Sequence, residues 1–139
     1  NLEKDKLSQA LRSLADIEQE LANLEASVVK MQEMKNEYLT KLNHAESGQD
    51  IAIVELTTSI NFIGRIEEAL RHSAARRLEL NKHLRQAKQH CADRQVDVKK
   101  YAILGEKELK ASALKDRQEE QKQADQHATM SWLQRESHS

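Results

Sequence analysis

Apolar residues recur at alternating steps of three and four along two long stretches of this chain. In the first stretch Leu21, Leu24, Val28, Met31, Lys35, Tyr38, Leu42 and Ala45 follow one another, with Lys35 the single polar member. Leu7, Leu11 and Leu14 precede them, and Ile17 joins the two runs through an extra three-residue step. Such a step is a stammer, which overwinds a supercoil locally. The second stretch runs Leu56, Ser59, Ile63, Ile66, Leu70, Ser73, Arg77, Leu80, Leu84, Ala87, Cys91, with small or polar members at Ser59, Ser73 and Arg77. A stripe of this period lies on one side of an α-helix and needs another stripe to cover it. Regular spacing of this kind also argues against disorder, which the high polarity would otherwise allow.

Few residues interrupt the two helices. There is no proline, and the three glycines are Gly48, Gly64 and Gly105. The first stripe stops at "HAESGQD", where Ser47 and Asp50 stand three apart as in a capping box and Gly48 eases a bend. The expected fold is therefore all-α: an antiparallel two-helix coiled-coil hairpin forming a single unit over residues 1–139. Helix 1 is expected over about 2–45, the turn over 46–50 and helix 2 over about 51–135. At about 1.5 Å per residue the first arm is roughly 65 Å long and the second nearly twice that, so the second overhangs. The first position already lies in helical pattern without an initiator Met, which suggests that a short piece precedes it.

Charge supports the same pairing. Residues 1–25 carry six acids and three bases, whereas residues 71–100 carry nine bases and three acids. A turn centred near residue 48 pairs positions whose numbers add to about 96, and so lays the basic stretch along the acidic one. The basic stretch thus has a partner within the chain, and a nucleic acid is not needed to explain it. The formal net charge of −1 supplies no global field toward nucleic acid or a membrane. No apolar run of the length needed to cross a bilayer is present. One cysteine, Cys91, permits no intrachain disulfide and fits a reducing cytosol.

The sequence offers little catalytic chemistry. It has no glycine-rich phosphate loop, no CxxC and no HExxH. His83 and His90 share a face beside Cys91, but Cys91 belongs to the seam, so a zinc site is the weaker interpretation. Carboxylates are numerous and have no apolar pocket that would tune a pair for acid–base work. A non-enzymatic rod without catalytic residues, cofactor or metal is expected.

Two places raise the question of a partner. With Ile63 at heptad position a and Ile66 at d, Phe62 and Ala69 fall at g, beside the seam. On helix 1, Val28 at a and Met31 at d put Ser27 and Met34 at g. In an antiparallel pair g faces g, so Met34 comes opposite Phe62 and Ser27 opposite Ala69. Either these residues widen the seam, or Met31, Met34, Tyr38, Phe62, Ile66 and Ala69 form a flank that another protein touches. Leu39 and Ile60 lie at e on the other side, and Gly64 lies outward at b. At the far end Met130, Trp132 and Leu133 follow the polar run "KDRQEEQKQADQHA" and are either a docking element or a frayed terminus.

The segments "KMQEMKNEYLTKLN", "INFIGRIEEAL" and "LKDRQEEQKQADQHATMSWLQ" resemble those of the flagellar FliJ and injectisome YscO proteins, the central stalks of bacterial type III secretion. The resemblance spans nearly the whole chain. It implies an antiparallel coiled coil, similar to that of the rotary ATPase γ subunit, inserted into the pore of the hexameric secretion ATPase. It also implies promotion of ATPase assembly and activity, links to the export gate protein and to secretion chaperones, and a place at the cytoplasmic face of the apparatus. The gate-binding stripe of the flagellar branch falls here on Met31, Met34, Tyr38, Phe62, Ile66 and Ala69. Met34 stands where that pattern has an aromatic, and Ser73, next to His72, stands at its final histidine. Both differences suit an injectisome member. The competing interpretation is a coiled-coil spacer or a chaperone-like helical adaptor with no ATPase partner.

Overall fold

The computed structural model describes residues 1–46 and 52–137, and both described stretches are helical almost throughout. Helix α1 spans Leu2–Glu46 and helix α2 spans Ile53–Ser137, 45 and 85 residues respectively. The expected hairpin, with its longer second helix, is what forms. The Ser47, Gly48 and Asp50 positions expected to make the turn lie outside the described residues.

Local chemistry starts each helix where it begins. Asn1 caps α1: its Oδ1 accepts the Glu3 backbone N–H at 3.0 Å, and its carbonyl accepts that of Asp5 at 3.1 Å. Glu3 and Asp5 place negative charge in the first turn, where the helix dipole favours it. At the start of α2 the Leu56 N–H donates to the Ala52 carbonyl at 3.0 Å. Thr57 and Thr58 turn their hydroxyls back onto the carbonyls of Ile53 and Val54, at 2.9 and 2.8 Å.

Contacts divide the chain into two units, Asn1–Arg94 and Gln95–Ser139. The first unit contains α1 and the part of α2 packed on it. Its seam on α2 follows the expected ladder: Ser59, Ile63, Ile66, Leu80 and Cys91 are buried, and Leu56, Leu70, Ser73, Leu84 and Ala87 are half-buried. Arg77 is the exception. It occupies a seam position but lies exposed, and its Nη2 reaches Glu25 Oε1 at 2.9 Å. A guanidinium on a long stem can leave an apolar seam for water while its methylenes stay along it.

The seam on α1 corrects one expectation. Ala10 is buried, at 5% exposure, and Leu11 is 44% exposed. With Ala10 in place the inward set reads 7, 10, 14, 17, 21, 24, 28, 31, 35, 38, 42, 45, an unbroken alternation of three and four. The stammer disappears. At about 100° per residue, positions 10 and 11 lie about 50° to opposite sides of the line from Leu7 through Leu14 to Leu21, and position 10 is on the side that Ile17 and Leu24 continue. Periodicity places the residue, and the greater hydrophobicity of leucine does not override it.

The second unit is Gln95–Ser139. Val98 and Gly105 are half-buried, and the side chains from 106 to 130 are exposed. Helix-forming composition and local bonds support it, such as Gln121 Nε2 donating to Asp125 Oδ1 at 3.0 Å.

Gly64 lies inside α2, about three turns from its start, and a methyl group built on it meets nothing within 4 Å. Nothing inside the hairpin requires its lack of a side chain. Gly64→Ala is therefore expected to stabilise the helix by about 1 kcal/mol, read as a higher urea midpoint in circular dichroism. A decrease at low protein concentration would mean that the hairpin uses the glycine.

Candidate partner-binding flank

Tyr38 and Phe62 anchor the flank. Tyr38 closes a turn of the α1 seam and Phe62 stands one position before the buried Ile63 of α2. Their rings meet across the two helices with centroids 5.0 Å apart and planes tilted by 32°. That spacing is the usual one for an attractive aromatic pair. Lys41, one turn beyond Tyr38, holds its ammonium 5.1 Å from the Tyr38 ring centroid. The result is a cation, a tyrosine and a phenylalanine in sequence across one side of the hairpin.

The g-to-g register is observed directly. Arg76 Nη2 bonds Glu20 Oε1 at 2.7 Å, both residues at g. Two heptads toward the bend, the same register brings Met34 to the level of Phe62. Met34 is 39% exposed, Phe62 and Ala69 are half-buried, and so are Met31 and Tyr38. Ile66 differs from its companions: it is buried in the seam and backs the flank from inside. A partner reaching this side meets Met34, Phe62, Tyr38 and Lys41. An open groove of about 480 Å³ continues the flank toward the bend between Tyr38, Lys41, Leu42, Val54, Leu56 and Ser59.

Ion pairs line both sides of the seam. Arg76 also bonds Glu79 at 3.1 Å, and these bonds, that to Glu20 first, raise its guanidinium further above an already high pKa. On the other side Lys35 pairs with Glu67 at 3.5 Å and Arg77 with Glu25 at 2.9 Å. Glu20 and Glu25 are thus two acids of residues 1–25 that meet the basic stretch of α2. Exposed pairs of this kind contribute little stability, but they fix orientation and register.

Spacing does not reveal Lys41 or Val54, because a search along apolar seam positions passes over both. The signal for Lys41 is its place three residues after Tyr38, on the same helical face. His83 lies beside Glu79 at 3.8 Å, and Cys91 is buried in the seam. Met130, Trp132 and Leu133 belong to the second unit, where all three are exposed. No helix among the described residues is long and apolar enough to cross a membrane.

A family model described as "Flagellar FliJ protein" matches residues 1–137, nearly the whole chain. No curated protein and no solved structure matches.

Proposed function

The chain belongs to the FliJ family, and we propose from this that it is the stalk of a type III export apparatus, seated in the hexameric secretion ATPase. The observation that carries the proposal is a family match along nearly the whole length of a chain that folds as an unequal helical hairpin. The hairpin of the first unit buries a single seam and leaves the rest of both helices to solvent. What it offers is length, stiffness and side chains displayed along its flanks. In this role it promotes assembly and turnover of the ATPase ring. It links the ring to the export gate through the Met34–Phe62–Tyr38 flank, with Met31, Ile66 and Ala69 supporting it, and it meets secretion chaperones. Met130, Trp132 and Leu133 form a second docking element. The protein works at the cytoplasmic face of the apparatus. The matching family model is that of the flagellar protein, which favours the flagellar branch over the injectisome.

An ATPase assay tests the central claim. The cognate secretion ATPase should show more hexamer by light scattering and a higher turnover when this protein is added. Unchanged turnover together with unchanged oligomer size would leave a coiled-coil spacer or helical adaptor as the better account.

A further inference from the structure

A second stripe of period 3.5 runs along α2 away from the seam. It consists of Thr57, Ile60, Gly64, Glu67, Arg71, Ala74, Leu78 and Asn81, at alternating heptad positions b and e. Their spacing is that of an a/d seam, so the face has the geometry to pack against another helix. It is largely uncovered: Ile60 is 54% exposed, Leu78 is 74% exposed, and Gly64, Arg71 and Ala74 are exposed as well.

The order of residue types along this stripe is the same read in either direction. Counting outward from residue 69, Glu67 answers Arg71, Gly64 answers Ala74, Ile60 answers Leu78 and Thr57 answers Asn81. Charge is answered by opposite charge, small by small, large apolar by large apolar and polar by polar. Each match joins an e to a b position, as a joins d in an antiparallel coiled coil. A two-fold axis at residue 69 requires this correspondence of a surface that meets itself.

We propose that this face of α2 binds a second copy of the same chain, antiparallel, about a two-fold axis at residue 69. Ile60 and Leu78 are buried against each other at both ends of the contact. Gly64 and Ala74 let the two helices approach closely, which gives the bare Gly64 a use that the hairpin does not. At the centre Glu67 meets Arg71 of the second copy twice. Arg71 forms no ion pair among the described residues, and Glu67 engages Lys35 through Oε1, which leaves Oε2 for a second donor. Exposed charges of this kind set orientation more than affinity, and the apolar pairs drive association. The Phe62 flank, at g, lies on the other side of α2 and is not used, so this contact leaves the proposed gate-binding flank open.

Sedimentation equilibrium on the full chain tests the proposal. The native protein should show a reversible monomer–dimer equilibrium. Arg71→Glu sets Glu67 against a glutamate at two symmetric places and should raise the dimer Kd by about tenfold or more. Glu67→Arg should do the same, and the double variant Glu67→Arg with Arg71→Glu should restore the native Kd. Circular dichroism of each variant shows that the hairpin itself is kept. A protein that stays monomeric at several hundred micromolar overturns the proposal, and so does a helical double variant that fails to regain the native Kd.

Discussion

Leu80→Ala should remove about 3 kcal/mol from the stability of the hairpin, a cost in the usual range for truncating a buried leucine. Leu80 is 2% exposed, the most completely buried large side chain of the core. It also follows the weakest part of the α2 seam, since Ser73 is small and Arg77 turns outward to Glu25. Over that stretch few apolar contacts exist to share the loss. Leu78, two residues earlier and 74% exposed, is the internal control, and Leu78→Ala in the monomer should change stability by less than about 0.5 kcal/mol. Urea unfolding followed by circular dichroism at low protein concentration measures both. Equal losses at the two leucines would contradict the seam described here.

Phe62→Ala should separate binding from folding. Its ring is half-buried on Tyr38, so truncation should cost the hairpin about 1 kcal/mol, the size of a lost aromatic pair with partial burial. If the flank meets the export gate, the same truncation removes the centre of that contact, and hot-spot aromatics are typically worth 2 kcal/mol or more. Affinity for the gate should therefore fall about thirtyfold or more while the far-UV spectrum is unchanged. Titration calorimetry against the isolated gate domain gives the number. Were Phe62→Ala to destabilise the hairpin as much as Leu80→Ala and leave binding intact, Phe62 would be a core residue and the flank would lose its anchor.

The period of the apolar residues carries most of the fold, and the exceptions have clear physical causes. Every α2 seam position except Arg77 is buried or half-buried as the spacing requires. Arg77 departs because spacing registers the Cα position, whereas a long charged side chain ends several bonds away in solvent. On α1 the leucine at position 11 misleads because hydrophobicity there competes with phase, and an alanine one residue earlier holds the phase. The α2 seam read from spacing ends at Cys91, close to the division of the chain at Arg94 and Gln95.

The candidate site is legible only in outline. Heptad letters bring Met34 and Phe62 to one side, and the Glu20–Arg76 bond bears out that register. The Tyr38–Phe62 ring contact, the Lys41 ammonium over Tyr38 and the burial of Ile66 depend on rotamers and on the local separation of the helices. A one-dimensional pattern does not encode these. The reversal symmetry about residue 69 is written in the sequence, but it becomes visible only once the seam has been assigned and the remaining face stands alone.

No side chain in the described chain is entirely withdrawn from water, and the buried set among the described residues is Ala10 on α1 and a single file on α2. The heat capacity released on unfolding scales with the apolar surface that becomes hydrated. A molecule with so thin an interior therefore has a small heat-capacity increment for its length. Its free energy of unfolding then curves gently with temperature instead of forming a tall dome. Cooling gains it little and moderate warming costs it little.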